Sequence, residues 1–195
     1  GVIQSLGANL IQVAPGARSY TGVRQSSNQL TERDVPAIRE AAPDALIVAP
    51  FVRGNAQVIS GNLNWATTAF GVTPDFFAAR EWELDAGRDF EPTELRGGKV
   101  AILGATVARE LFPDGDALGA VIRINRVPFT VVGVMARKGQ TPFGQDQDDV
   151  VFTPLDTARL RLFGRFAARP DMVDGITVKG RSSESLSRLE QALNA

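Results

Sequence analysis

Residues 99–135 read KVAILGATVARELFPDGDALGAVIRINRVPFTVVGVM, and this stretch decides the fold. An apolar run at 99–104 gives a strand. ATVARELF (105–112) has the composition of a helix, and PDGDALG (113–119) is a turn. AVIRIN (120–125) and FTVVGVM (129–135) are β-rich and flank a tight turn placed at RVP (126–128). A strand, a helix and two further strands within one segment set the expectation of an α+β protein.

The pattern extends downstream. A polar loop at 136–148 leads through GQDQDDVVFTP (144–154) into a strand at 149–154. A helix follows, with Thr153 as its cap, Pro154 first and Asp156 third. Residues 164–173 read as a connection. A strand at 174–180 and a helix at 182–194 close the chain, with Leu186, Leu189 and Leu193 forming an apolar stripe.

Upstream, NLIQVAP (9–15) is a strand, and 16–29 is a loop rich in Gly, Ser, Arg and Gln. LTERDVPAIREAAP (30–43) is a helix with Thr31 as N-cap and Asp34 completing an approximate capping box. Pro36 would delete a backbone hydrogen bond there, so the first turn is either distorted or starts later. Runs at 45–60 and 63–72 form a hairpin about Gly61 and Asn62. Thr73 caps a short helix that begins at Pro74, and 85–99 is a polar connection. These changes of texture suggest two modules: a discontinuous one, 1–88 plus 170–195, and one inserted at 89–169.

The chain has 195 residues, 44% hydrophobic and 22% charged, with a net charge of -1. That is ordinary for a folded protein and supplies no basic field to gather nucleic acid. No apolar run reaches the length of a membrane span. The abrupt ends, without polar tails, suggest a piece of a longer protein. Cysteine and histidine are absent. A reducing compartment accounts for the missing cysteine, and so does an envelope protein without disulfides. The missing histidine removes the usual neutral-pH base, Ser-His-Asp and Cys-His catalysis, and zinc sites built on His or Cys.

What chemistry is left rests on carboxylates, lysine or a hard cation. Asp146, Asp148 and Asp149 are the sharpest candidate. With Asp146 as position 1 of a calcium loop, Asp148 fits position 3, but Val150 and Val151 occupy positions that need an oxygen ligand and glycine. RGGKV (96–100) lacks the spacing of a phosphate loop and leads into a strand. Glu81/Glu83 and Glu91/Glu94 are carboxylate pairs with nothing to distinguish them from a solvated surface. Trp65, Phe70, Phe76, Phe77 and Trp82 are expected mostly in the core, with Trp65 and Trp82 as candidates for an interface. No catalytic constellation emerges, which points to binding, scaffolding or force transmission.

Seven motifs carry a resemblance when taken in order: LGANLIQVAPG (6–16), LTERDVPAIRE (30–40), FGVTPDFF (70–77), AGRDF (86–90), the segment 100–135, DQDDVVFTPLDTA (146–158) and ITVKG (176–180). Together they resemble the extracytoplasmic domain of ABC transporter permeases of the MacB-like, macrolide-exporter family. The resemblance implies a split porter-like α/β subdomain with an inserted smaller α/β subdomain, in line with boundaries at 88/89 and 169/170. It implies a position between the first two spans of a membrane permease, on the periplasmic side of the bacterial inner membrane. The implied partners are an ABC ATPase, a second permease copy and, in tripartite exporters, a periplasmic adaptor.

In that family the chemistry belongs to the ATPase, so no catalytic, cofactor or metal residues carry over. Gly87, Gly104, Gly119 and Gly133 are then positions of backbone geometry, with Gly133 marking a bulge or close approach inside a strand. Both ends would lie together on one face, because both must enter the membrane. Two alternatives stand beside this reading. One is a lipoprotein-releasing permease, for which a long exposed hydrophobic loop is expected and 16–29 is too polar. The other is a metal-dependent hydrolase built on the three aspartates. The cargo is not legible in the sequence.

Overall fold

The computed structural model describes residues 3–5, 9–15, 30–164 and 171–194. The expected loop at 16–29 and both chain ends lie outside them. In chain order the first elements are β1 (Ile3–Ser5), β2 (Leu10–Val13), β3 (Leu30–Thr31), α1 (Asp34–Ala41), β4 (Ala45–Ser60) and β5 (Leu63–Val72). Then come α2 (Pro74–Ala79), β6 (Leu84–Gly87), β7 (Val100–Leu103), α3 (Ala105–Leu111), β8 (Val121–Ile124) and β9 (Val127–Met135). The last are β10 (Val150–Pro154), α4 (Leu155–Thr157), which runs on into a π-helical turn at Ala158–Leu162, β11 (Met172–Val173), β12 (Gly175–Gly180) and α5 (Ser183–Asn194).

The chain divides into two compact units. Unit 1 comprises Gly1–Phe51, Asp75–Glu81 and Phe166–Ala195, and unit 2 comprises Val52–Pro74 and Trp82–Arg165. A discontinuous module with an insertion was expected, but the division falls inside β4 rather than at residue 88. The hairpin of 52–72 goes with unit 2 because its pairing partners β8 and β10 are there.

In unit 1, β2 pairs antiparallel with β1 and β12, and β12 pairs antiparallel with the first half of β4, Ile176 facing Pro50 and Val178 facing Val48. Alternation turns Ile11 and Val13 of β2 inward, where both are buried. α5 packs on β2 and β12. Its first turn is capped by Ser182, whose Oγ accepts from the Ser185 N–H at 3.2 Å. Leu189 of the expected stripe is buried, and the side chains of Leu186 and Leu193 lie outside the described set. Phe51 meets Phe76 edge-on at 5.8 Å. A Cβ on Gly175 would stand 2.3 Å from the Phe51 ring, so glycine is needed to seat it.

α1 begins at Asp34, later than expected, and Thr31 is in β3, paired with Met172, instead of capping the helix. The later start removes the difficulty of Pro36. It becomes the third helical residue, where no intrahelical partner awaits its N–H. One half of the capping box survives: Asp34 Oδ2 accepts from the Thr31 N–H at 2.9 Å.

In unit 2 the strand pairings close on themselves. β4 pairs with β5, β5 with β10 in parallel, β10 with β7, β7 with β9 in parallel, β9 with β8, and β8 with β4. β6 adds to β9 outside this circuit. Each strand of the circuit sends alternate residues to one core: Ala56 and Val58, Ala69, Val151, Ala101 and Leu103, Phe129 and Val131, Ile122 and Ile124. Val107 and Leu111 of α3 join them. Short strands that cannot bury both faces alone are thereby stabilised as a ring.

Three local expectations need correction. The turn between β8 and β9 is Asn125–Arg126, with φ of 46 and 73, the left-handed pair of a two-residue hairpin turn; Pro128 lies within β9. Asn125 also binds the ring shut, since its N–H donates to Gln57 O at 3.0 Å and its Oδ1 accepts from Gln57 N–H at 2.9 Å. Thr153 is not a cap. It is a buried strand residue opposite Gly71, and the helix starts at Leu155. Finally, 85–99 contains β6 and a short 3-10 helix at Glu94–Arg96. LDAG is only four residues long and has no β-branched residue, so its pairing with β9 decides its conformation.

Candidate functional site

The three aspartates singled out in the sequence for chemistry all have structural partners within the fold. Asp146 Oδ2 accepts from Thr106 Oγ1 at 2.6 Å and its Oδ1 from Asp148 N–H at 2.9 Å. Asp148 is 2% exposed. Its carboxylate accepts from the backbone N–H groups of Lys138 at 2.8 Å and Gly139 at 2.9 Å, across the base of the loop. Asp149, in the bend before β10, meets other partners, and the strand expected from 149 begins at Val150. Asp149 Oδ1 accepts from Trp65 Nε1 at 2.9 Å and Thr67 Oγ1 at 2.7 Å. Three neighbouring aspartates thus fasten one loop to α3, to its own opposite limb and to β5. Their oxygens do not converge, and no group of three or more acidic residues with metal-holding geometry occurs among the described residues.

The carboxylate pairs divide in the same way. Glu81 pairs with Lys179 at 2.8 Å. Glu94 meets Arg88 through two parallel bonds of 2.8 and 3.0 Å and accepts from the Glu91 N–H at 2.8 Å. The Arg88 hydrogen bond holds the Glu94 carboxyl below its usual range. In the same loop, partial burial pushes Asp89 up, against a backbone hydrogen bond from Phe90 that lowers it. Gly97 closes the 3-10 helix with φ 108.

The aromatics are internal to their units. Trp82 lies edge-on to Phe152 at 5.4 Å and donates its Nε1–H to Ala136 O at 2.8 Å. Trp65 packs against the ring core. Gly133 is a close approach at a register shift: its Cβ would lie 2.7 Å from Arg88 O, and the β7–β9 pairing slips between Ala101 and Ile102. Gly87 faces it with φ 80, and its Cβ would be 2.2 Å from Val132 O.

Two surface features were not foreseen. One is a cleft of about 610 Å³ in unit 2, lined by Asp85 and Ala86 of β6, Ala108 and Arg109 of α3, Phe112 just after it, the 115–118 turn, and Val134, Met135 and Arg137. The missed β6 forms one of its walls. The other is Phe143, 86% exposed, at the tip of the loop the aspartates fasten. The sequence signal for it is TPFGQ (141–145), a lone aromatic amid turn residues.

One unit is a closed circuit of strands with α3 packed into its core, and the other is a sheet that includes β1, β2 and β12. The model of the MacB-like periplasmic core domain matches residues 2–195. The chain belongs to this family. It is 37% identical over 196 residues to the macrolide export ATP-binding/permease protein MacB of Rhodospirillum rubrum, covering 97% of this chain and 30% of that protein. It is also 37% identical over 193 residues to the protein of the same name from Azoarcus sp., covering 98% of this chain and 28% of the relative. The chain therefore spans less than a third of the length of these curated relatives. Among solved structures, the periplasmic region of MacB from Actinobacillus actinomycetemcomitans aligns with a TM-score of 0.69 at 20% identity, over 97% of this chain and 86% of that one. The extracellular domain of the noncanonic ABC-type transporter YknZ from Gram-positive bacteria aligns with a TM-score of 0.66 at 15% identity, covering 83% of this chain and 78% of that chain. These likenesses show the fold: mixed α/β, sheet-dominated, similar to the MacB periplasmic domain. No helix among the described residues is long and apolar enough to cross a membrane.

Proposed function

We propose that this chain is a non-catalytic extracytoplasmic domain of an ABC transporter permease, which passes ATP-driven motion of membrane helices to substrate outside the inner membrane. The observation that carries this reading is the use of Asp146, Asp148 and Asp149. All three carboxylates serve as hydrogen-bond acceptors within the fold, an arrangement that braces a loop and does not gather them into one reactive cluster. The relatives' name adds the class of cargo, macrolides, and a fused ATP-binding region. The partners that follow are an ABC ATPase, a second permease copy and a periplasmic adaptor. The domains of this reading are a porter-like subdomain and an inserted α/β subdomain.

The test uses the full-length protein that carries this domain. ATP hydrolysis and erythromycin export are measured for the parent and for Asp148→Ala, which loosens the brace without touching the ATPase. Retained hydrolysis with export reduced by more than half is the expected outcome. Export unchanged in a variant shown to be locally loosened by hydrogen exchange refutes the coupling role. Titration calorimetry of the domain with calcium, magnesium and manganese tests the hydrolase alternative, and heat of binding abolished by Asp146→Asn would revive it.

A further inference from the structure

The cleft of unit 2 is built on a helix that packs on two faces. Val107 and Leu111 of α3 join the ring core. Ala105, Ala108, Arg109 and Phe112, at the i, i+3, i+4, i+7 spacing of one helix face, form a wall of the cleft. Alanine at 105 and 108, and at 86 on the β6 wall, leaves its volume open. The β6 wall carries a bulge: Leu84 faces Met135 and Ala86 faces Val134, so Asp85 is the extra residue, a device that re-aims a side chain.

The cleft has a direction. Its 115–118 end lies at Gly87, where a Cβ would stand 2.7 Å from Leu118 Cδ2, and Gly87 faces Gly133. Arg137 marks the other end, four residues beyond Gly133 and about 13 Å away at the rise of a strand. The start of α3 is at this second end, because Thr106 N–H donates to Asp148 O and Asp148 accepts from the Lys138 N–H. Asp116 stands at the first end and Arg137 at the second, and neither has a side-chain hydrogen bond or ion pair among the described residues. Asp114 adds a second exposed acid near Asp116. Arg109 and Asp85 balance each other between the ends. Lys138 and Asp146, which share the loop with Arg137, also cancel. Lys138 sits over the Trp82 ring at 5.3 Å, and Asp146 is held by Thr106.

We propose that this cleft binds a small linear zwitterion, with an ammonium at the Asp116 end, an acidic group at Arg137, and an apolar chain between them along Ala86, Ala108, Phe112 and Val134. The volume is that of a small-molecule site, where an apolar lining supplies the contact area and a few polar groups set the orientation. Opposite charges at the two ends favour a dipolar ligand over a singly charged one. A chain with one charge pairs at one end and leaves the group at the other end without a partner. The proposal does not depend on the export reading and assigns no cargo.

The test is saturation-transfer NMR on the 195-residue chain with 10-aminodecanoic acid, set against decanoic acid, decylamine and 1-decanol. The zwitterion should bind about fivefold more tightly than either singly charged chain, the worth of one exposed ion pair. Arg137→Gln should cost 10-aminodecanoic acid and decanoic acid about fivefold each and leave decylamine unchanged. Asp116→Asn should cost 10-aminodecanoic acid and decylamine about the same and leave decanoic acid unchanged. Ala108→Trp fills the floor and should abolish binding of every chain, with a melting curve to show the variant folded; Ala108→Leu takes its place if it is not. No binding of the zwitterion at about 10 mM, beyond the affinity its size confers in a fitted site, overturns the proposal. So do equal affinities for the charged and uncharged chains, charge effects that do not follow the two ends, or a folded variant at Ala108 that binds as the parent does.

Discussion

The loops at 88–98 and 136–149 look alike in sequence and are held in opposite ways. Both are polar, both contain glycines and acidic clusters, and both invite a reading as chemistry. In 136–149 the central acid turns inward: Asp148 is 2% exposed and accepts from two backbone N–H groups. In 88–98 the acids lean on a solvated partner: Glu91 is 59% exposed, and Glu94 is held by an Arg88 whose side chain is 44% exposed. A carboxylate in a low-dielectric site stabilises what it binds far more than one screened by solvent, and leaves a larger deficit when removed. The two loops therefore differ in how firmly they specify a shape.

Asp148→Ala should show the largest effect, about 4 kcal/mol of lost stability, because two charge-assisted bonds disappear and their donors lose an acceptor. Urea denaturation measures it, and a loss below about 1 kcal/mol would erase the contrast between the loops. Gly104→Ala comes next. Its Cβ would stand 2.2 Å from Asp148 O, a backbone atom with no room to move, so about 3 kcal/mol is expected. The matching change in the other loop, Gly97→Ala, meets nothing within 4 Å and carries only the strain of φ 108, about 1 kcal/mol. Thermal melting of the pair should rank them in that order.

Glu94→Gln should be smallest, about 0.5 kcal/mol and fading in high salt. Its pH behaviour has a definite sign. The folded-state pKa of Glu94 is depressed, so its contribution is present above the usual carboxylate range and is lost as pH falls through the depressed value. Asp89 is raised by burial and works oppositely, favouring the fold as it protonates. The two act with opposite sign on the acid dependence of this loop. Denaturation curves from pH 7 to 3 for the parent and for Glu94→Gln and Asp89→Asn would resolve the opposing slopes.

Much of the fold was legible locally. The β4–β5 hairpin turns at Gly61 as glycine and asparagine suggest, with Ser60 facing Leu63. Pro74 starts α2, and Gly133 sits at a register shift. These features depend on backbone sterics within a few residues. The errors came where a distant partner decides. Thr31 has the chemistry of a helix cap but is drawn into a strand by Met172. LDAG becomes β6 only because β9 is beside it. The hairpin joined unit 2 through β8 and β10, which no local pattern announces.

For the candidate site the division is similar. By itself the sequence determined what was chemically available: no histidine, no cysteine, and aspartates at spacings that fail a calcium loop. Its ordered motifs also carried the family. The tertiary structure alone decided what those aspartates do, because donors as far apart as Trp65, Thr106 and Lys138 reach them only once the ring closes. It also decided that Phe143 stands in solvent. Burial is a property of the packed chain, and a phenylalanine seven positions before β10 could have faced either way.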